Sequence, residues 1–163
     1  MTRYDSILPE LIVGAHPRVR SEIRELKEQL GVTAVLNLQT NADMDQLGIS
    51  WNGLLNLYQG EDITIRRLPI TDFDVADLRT HLPAGAQALE ELIRSNHKVY
   101  LHCTLGVERS PSVAVAFLTW YRDWPLDKAW KHVKECRECL PNFEALWLSH
   151  EQRKEGLAKP ESG

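Results

Sequence analysis

The sequence predicts an α/β fold in which a mixed, mostly parallel sheet has helices on both faces. Two observations indicate this fold. Apolar, β-branched runs alternate with stretches of helical periodicity, which is the rhythm of βαβ units. Later in the chain, the apolar run Val99–Leu101 leads through a short loop into an apolar helix with Pro111 near its start. A chain of 163 residues is long enough to bury the core of one such domain.

The N-terminal third supplies two predicted strands and the helix between them. Leu8–Ala15 is the first strand, and a glycine and a proline end it. Ser21 is the candidate N-cap of a helix over Glu22–Leu30, whose apolar side chains recur at spacings of three and four. The β-branched and leucine-rich run Val32–Leu38 is the second strand and is predicted to be buried.

The middle of the chain has a less regular pattern. A polar turn at Asn41 leads into a short helix, and Ile49–Leu57 is a candidate for another. Ile63–Ile70 is a predicted strand. A loop with two carboxylates follows this strand, and the helix after the loop is predicted to restart at Pro83.

The C-terminal part is predicted to be helical. The pattern indicates helices over Ser110–Tyr121, Leu126–Arg137 and Phe143–Arg153. Residues 1–153 are therefore predicted to form a single domain. Residues 154–163, which include glycine, proline and serine, are predicted to form a flexible tail.

The loop between the apolar run and the helix at Ser110 contains the residues most suited to chemistry. Cys103 stands at its entry and Arg109 at its exit, six positions later. The backbone amides of a loop that ends on a helix N-terminus form an anion-binding nest, which also stabilises a thiolate. Arg109 offers a planar fork of donors to phosphate, and Gly106 allows the loop to turn. A thiolate under a bound phosphate is a nucleophile for phosphorus. The alternative is a buried structural cysteine and an unrelated surface arginine.

The run His102–Ser110 resembles the His-Cys-x-x-Gly-x-x-Arg-Ser/Thr signature of cysteine-based phosphatases, and the chain length is similar to that of their dual-specificity branch. The resemblance covers about Leu11–Leu148. It implies the compact α/β fold of that family and the hydrolysis of phosphomonoesters through a phosphocysteine, without a metal or cofactor. It makes Cys103 the nucleophile and Arg109 a phosphate ligand, with Ser110 easing the departure of the thiolate.

The resemblance also implies that the rest of the loop binds the phosphate. These residues are His102, Thr104, Leu105, Gly106, Val107 and Glu108. We expect His102 to orient the loop through a hydrogen bond rather than to transfer protons.

The family has its general acid on a loop about 30 residues before the nucleophile. An aspartic acid there protonates the leaving oxygen and then activates the water of the second step. Alignment with the family assigns this role to Asp72. Asp74 is interpreted as the N-cap of the following helix, because aspartate is preferred at that position. The reverse assignment of the two residues is the alternative.

A narrower resemblance favours a carbohydrate substrate. Asp72–Pro83 is similar to the Asp-Phe-Asp…Asp-Leu-Arg…Leu-Pro segment of plant starch-excess glucan phosphatases, which are relatives of laforin. In that subgroup the phenylalanine after the acid stacks on a glucan ring, a role that falls to Phe73. Two loop positions depart from the subgroup. Leu105 replaces an alanine and narrows the pocket mouth, while Glu108 replaces a glycine and places a carboxylate beside Arg109. Phosphoglucan is favoured, and phosphoprotein stays open.

Composition and charge argue against several other classes of protein. A net charge of −4 argues against binding to nucleic acid or to anionic membranes. No apolar run approaches the ~18 residues of a membrane span, and the chain begins without a signal-peptide pattern. Cys136 and Cys139 lack the second pair that a zinc site needs and are interpreted as structural. A reactive thiolate suits a reducing compartment. We therefore expect a cytoplasmic monomer whose partner is a phosphorylated glucan or protein.

Two functions from other classes remain open. A pseudophosphatase would keep the pocket and bind phosphorylated ligands with little turnover, and Glu108 is the feature in its favour. An arsenate reductase or another thiol redox protein would need a second thiol near Cys103. Cys136 and Cys139 are predicted to lie at a distant helix end.

Overall fold

The computed structural model describes residues 3–158, which form seven helices and a five-stranded sheet. In chain order the elements are β1 (Tyr4–Leu8), β2 (Leu11–Gly14), α1 (Arg20–Glu28), β3 (Ala34–Asn37), α2 (Asn41–Leu47), α3 (Trp51–Gly60), β4 (Thr64–Arg67), α4 (Val75–Arg94), β5 (Val99–His102), α5 (Arg109–Tyr121), α6 (Leu126–Cys136) and α7 (Phe143–Ala158). The strand order is β1-β2-β5-β3-β4. Only β1 and β2 pair antiparallel. The predicted fold class is therefore confirmed.

Each face of the sheet has its own apolar core. Side chains alternate along a strand, so Leu36 and Leu101 face one side while their neighbours Val35 and Tyr100 face the other. The first side packs against α4, α5, α6 and α7, and the second packs against α1, α2 and α3. Because both faces are covered, the central strands are apolar on both sides and appear in the sequence as continuous apolar runs.

The sheet also determines where the candidate site lies. Because β3, β4 and β5 are parallel, the loops after their carboxyl ends meet at one edge of the sheet. Open parallel sheets bind ligands at this edge. The loop after β5 leads directly into α5, whose residues 109–119 are all buried. The loop is therefore held between two elements that pack tightly in the core.

The N-terminus of α1 differs from the prediction. The helix begins at Arg20 with Val19 at the N-cap, so the cap predicted at Ser21 is wrong. A carboxylate oxygen of Glu22 accepts a hydrogen bond of 2.6 Å from the amide of Arg18. The acidic side chain in the first turn therefore fixes the entry of the chain into this helix.

The helix predicted to restart at Pro83 is continuous. Helix α4 contains Pro83 in its interior and begins at Val75. Asp74 is its N-cap and accepts a hydrogen bond of 2.9 Å from the amide of Asp77. The proline removes one helical hydrogen bond, but the buried side chains on one face of α4, including Leu82, pack against the core and keep the helix intact.

The two ends of the chain also differ from the prediction. The sequence predicted one strand over Leu8–Ala15, whereas β1 and β2 form a hairpin that begins at Tyr4. At the other end, α7 extends to Ala158, so the tail predicted from residue 154 is helical over 154–158. Residues 159–163 lie outside the described part of the chain. None of the helices in residues 3–158 has the length and apolar character to cross a membrane.

Candidate active site

The carbonyl groups of residues 103–108 all accept hydrogen bonds from the protein around the loop. The backbone amides of His16, Leu140 and Ser112 donate to the carbonyls of Thr104, Val107 and Glu108, respectively. The guanidinium of Arg137 donates to the carbonyls of Leu105 and Gly106. The ring Nδ1 of His102 donates to the carbonyl of Cys103. These bonds are 2.8 to 3.1 Å long. The amides of 104–108 donate to no group within residues 3–158. They are therefore available to bind an anion.

A close approach of two glycines holds the loop against the sheet. Gly106 has a φ of +69°, and a Cβ at this position would lie 2.5 Å from the carbonyl carbon of Gly14. Gly14 is equally constrained, because a Cβ there would overlap the hydroxyl of Tyr100. The loop therefore needs glycine at Gly106 for both its conformation and its contact with β2.

Arg137 supports the loop from behind. Its side chain is fully buried, donates to the carbonyls of Leu105 and Gly106, and forms an ion pair of 2.9 Å with Asp5 of β1. A buried guanidinium with these partners fixes the direction of two peptide groups at once. Nothing in the sequence around Arg137 indicates this role, because no local pattern relates this end of α6 to a loop about 30 residues earlier.

Cys103 lies at the base of the cleft that the loop surrounds. Its side chain is 3% exposed and follows directly after β5. The hydroxyl oxygen of Ser110 is 3.3 Å from the Cys103 sulfur. Ser110 is in the first turn of α5, so the sulfur faces the N-terminus of that helix as well as the loop. The predicted nucleophile and its predicted hydrogen-bond partner are thus in direct contact.

Arg109 is buried and anchored through Nη1, and it keeps unused donors on its other edge. Nη1 donates to Oδ2 of Asp43 at 2.6 Å and to the carbonyl of Ile70 at 2.9 Å. Nη2 is 3.4 Å from Oγ1 of Thr104. Nε is buried and donates no hydrogen bond within residues 3–158, although Oδ1 of Asp72 makes a charge contact with it at 3.3 Å. The edge formed by Nε and Nη2 can therefore bind two phosphate oxygens.

Asp43 is a functional residue that the sequence analysis missed. It forms a capping box with Thr40 at the start of α2, through hydrogen bonds of 2.9 and 3.1 Å. Burial raises the pKa of Asp43, but the hydrogen bonds from Arg109 and Thr40 outweigh burial and hold the pKa below its usual range. The spacing Thr40-x-x-Asp43 indicates the cap. Nothing local indicates that this carboxylate reaches an arginine 66 positions later.

The loop after β4 brings the predicted acid to the edge of the cleft. Asp72 and Phe73 both line the cleft, and Oδ1 of Asp72 faces Nε of Arg109. Asp74 points away into its cap bond with α4, so Asp72 is the one of the two carboxylates that lines the cleft. Phe73 has a φ of +58° and is 91% exposed. An apolar ring held in this conformation at a cleft mouth is suited to contact a substrate.

His102 lies behind the loop and does not line the cleft. Its ring is buried, and the predicted hydrogen bond from this ring to the loop is present. Burial lowers the pKa of His102 to about 4, so the ring is neutral near pH 7. Because a carbonyl only accepts, Nδ1 must carry the proton and donate it to the carbonyl of Cys103 at 2.8 Å.

The cleft has an apolar rim and a volume of about 390 Å³. Exposed side chains of Leu47, Phe73, Leu105 and Leu140 surround its mouth. Glu108 lines one wall, and its carboxylate accepts a hydrogen bond of 3.4 Å from the side-chain Nδ2 of Asn142. Leu105 thus occupies the mouth, as the sequence indicated.

The two remaining cysteines lie outside the cleft. The Cys139 sulfur donates to the carbonyl of Arg137 at 3.2 Å, and the Cys136 sulfur is 3.5 Å from Nε2 of His132. Burial raises the pKa of Cys139 to about 11 and also raises that of Cys136. These environments oppose ionisation and are typical of structural cysteines. Within residues 3–158, no group of three His, Cys, Asp or Glu side chains is arranged to hold a metal.

The sequence of this chain matches a known protein family. The sequence model of the dual specificity phosphatase catalytic domain matches residues 12–152. The phosphoglucan phosphatase DSP4 of Castanea sativa is 34% identical over 145 residues, which are 88% of this chain and 38% of that protein. Human dual specificity protein phosphatase 26 is 30% identical over 139 residues, which are 85% of this chain and 61% of that protein. This chain therefore spans about two fifths of the Castanea protein and three fifths of the human one.

The fold is also that of solved phosphatase structures. The crystal structure of PTPMT1 in complex with PI(5)P superposes with a TM-score of 0.79 and 20% identity, over 96% of this chain and 98% of that one. The family match includes the sheet from β2 onward, the loop at Cys103 and every residue that lines the cleft. The chain belongs to the dual-specificity phosphatase family.

Proposed function

We propose that this chain hydrolyses phosphomonoesters in two steps, without a metal, through a phosphorylated Cys103. The observation that carries the proposal is the direction of the loop backbone. Its carbonyls are held by donors outside the loop, so that its free amides and the open edge of Arg109 surround the space beside the Cys103 sulfur. Membership of the dual-specificity phosphatase family supports the same reaction.

In the first step the thiolate of Cys103 attacks phosphorus, and the bond from phosphorus to the ester oxygen breaks. Asp72 gives a proton to the leaving oxygen. The loop amides and Arg109 bind the equatorial oxygens, where charge collects in the transition state. In the second step water attacks phosphorus, Asp72 takes a proton from this water, and the sulfur–phosphorus bond breaks. The hydroxyl of Ser110 donates a hydrogen bond to the departing thiolate.

The substrate that we propose is a phosphorylated glucan. Leu47, Phe73, Leu105 and Leu140 give the mouth of the cleft an apolar surface, on which the C–H face of a sugar can pack. Arg109 is the single cation among the described residues that line the cleft. This suits phosphate groups that are spaced apart along an otherwise uncharged polymer. The name of the Castanea relative, a phosphoglucan phosphatase, points to the same class.

A phosphoprotein is the second candidate substrate. The human relative is named a protein phosphatase, and the same apolar rim could pack against the ring of a phosphotyrosine. A binding module with little turnover would use the same phosphate site, with Glu108 opposing the approach of a second anion.

Phosphate release separates these candidates. Wild type and Cys103→Ser are compared on phosphorylated amylopectin and on a phosphotyrosine peptide, with EDTA present. We expect release from amylopectin by wild type only. Release from the peptide alone would assign the protein phosphatase function. Release from neither substrate, with tungstate binding retained, would contradict catalysis and favour the binding module.

A further inference from the structure

A second apolar surface lies outside the active-site cleft. Trp130 of α6 and Phe143 of α7 meet edge to face, with ring centroids 5.5 Å apart, and line an open groove of about 840 Å³. We call this the aromatic groove; its other lining residues are Pro125, Asp127, Lys128 and Lys131. Phe143 is 41% exposed, and Trp147, one turn further along α7, is also exposed. Exposed aromatic side chains in such a cluster mark a binding surface.

Three lysines make this surface locally cationic. Lys128 and Lys131 line the aromatic groove, and the ammonium of Lys134 lies 4.2 Å from the centroid of Trp130. Within residues 3–158 none of the three forms an ion pair with a carboxylate. Asp127 is the one acidic residue among those that line the groove. In a chain with a net charge of −4, this surface is suited to an anionic ligand.

A short segment of the chain connects the cleft to the aromatic groove. Leu140 lines the cleft and Phe143 lines the groove, so the turn of residues 140–143 separates them. This turn is held on both sides. The amide of Leu140 donates to the carbonyl of Val107 in the loop, and the indole of Trp130 donates to the carbonyl of Pro141. A polymer whose phosphate occupies the cleft can therefore continue over Leu140 into the groove.

We propose that the aromatic groove is a second binding site for the phosphorylated glucan, and that it holds a segment of the same polymer whose phosphate lies in the cleft. This inference rests on the proposed function. The exposed ring of Phe143 provides a face for a sugar, while Lys128 and Lys131 provide cations for phosphates carried elsewhere on the chain. Aromatic side chains are enriched at protein interfaces, but a protein partner fits less well, because lysines, which line this groove, are depleted there.

The test uses binding and turnover as separate readouts. The double variant Phe143→Ala, Lys131→Glu alters the groove and leaves Trp130, which fixes the turn, in place. In a Cys103→Ser background, we expect it to bind phosphorylated amylopectin roughly tenfold more weakly in sedimentation. With Cys103 present, we expect kcat/KM for p-nitrophenyl phosphate to stay within about twofold of wild type. Lys154→Glu, a charge reversal on α7 beside Glu151, is the matched control and should bind like the parent.

The outcomes distinguish this inference from the proposed function. Unchanged affinity of the double variant for phosphorylated amylopectin, with wild-type release of phosphate, would overturn the second site and leave the substrate assignment intact. If wild type releases no phosphate from amylopectin, but the double variant still binds the polymer more weakly, the substrate assignment is overturned and the binding site in the groove stands. On amylopectin without phosphate, we expect Lys131→Glu alone to have no effect and Phe143→Ala alone to weaken binding. An equal loss from Lys131→Glu on both polymers would contradict the role of the lysine.

Discussion

Replacement of Asp43 tests how the phosphate-binding arginine is held in place. In Asp43→Ala the buried guanidinium of Arg109 loses its 2.6 Å partner, and α2 loses half of its capping box. A hydrogen bond to a charged group contributes about 1.5–3 kcal/mol, and a helix cap contributes about 1 kcal/mol. We therefore expect the free energy of unfolding to fall by about 3 kcal/mol. We expect kcat/KM to fall by roughly 100-fold, because a displacement of about 1 Å at a positioned group costs that much. Asp43→Asn keeps the shape and one acceptor, and should lose roughly tenfold in kcat/KM.

The assay combines urea unfolding with hydrolysis of p-nitrophenyl phosphate. The pKa of Asp43 lies below its usual range, so its contribution to stability is fully present above the unfolded value of about 3.9 and is lost as pH falls through the folded value. The stability difference between wild type and Asp43→Ala should therefore shrink below about pH 4. Wild-type kcat/KM and tungstate affinity in Asp43→Ala would refute the reasoning, since the carbonyl of Ile70 would then be enough to hold Arg109.

Three further predictions concern the parts around this arginine. Burial lowers the pKa of His102 to about 4, from 6.5 in the unfolded chain. The contribution of the neutral ring to stability is therefore fully present above pH 6.5, and the free energy of unfolding falls by about 3 kcal/mol as the pH drops towards 4. In urea unfolding, His102→Asn should lack this part of the wild-type pH dependence. Arg137→Met removes the donors to the carbonyls of Leu105 and Gly106, so we expect the free energy of unfolding to fall by about 3–5 kcal/mol in thermal unfolding. A midpoint equal to that of wild type would contradict this role of Arg137. Asp72→Asn should lower turnover of alkyl phosphates by roughly 100-fold or more and that of p-nitrophenyl phosphate much less, because nitrophenolate leaves without a proton; equal losses on both would contradict the role of the acid.

The fold could be predicted wherever the signal was local. The buried strands appear as apolar runs because both faces of the sheet are covered, and α5 appears as an apolar helix because its own residues 109–119 are all buried. The prediction failed at Pro83 and at β1. Proline is a local signal to begin a helix, whereas the packing of α4 against the core depends on residues far away in sequence. Strand β1 has a weak apolar pattern, because Ile7 is its only buried residue. The strand forms by pairing with β2.

The candidate site also contains residues with a local sequence signal and residues without one. Cys103, Arg109 and Ser110 lie within eight residues of one another, and the sequence predicted them together because the whole loop resembles the phosphatase signature. Asp43 and Arg137 lie 66 and 28 positions from Arg109, on other helices, and only the folded chain brings them to the loop. The residues that we propose to contact the substrate are thus close together in the sequence, whereas those that hold them in place are not.

The charges of the cleft explain how an acidic protein can bind one phosphate and disfavour two. The described lining contains one cation, Arg109, and three carboxylates, those of Asp43, Asp72 and Glu108. Most of the attraction for phosphate must therefore come from the loop amides, whose dipoles act over a short range and converge on one point. A second phosphate on the same ligand would lie beyond that point. At roughly 8 Å and an effective dielectric constant of about 20, each nearby carboxylate would oppose each unit of its charge by about 2 kcal/mol. A cleft of this kind favours isolated phosphates on an uncharged scaffold, in keeping with the glucan substrate that we propose, and the second site proposed in the aromatic groove would add the cations that the cleft lacks.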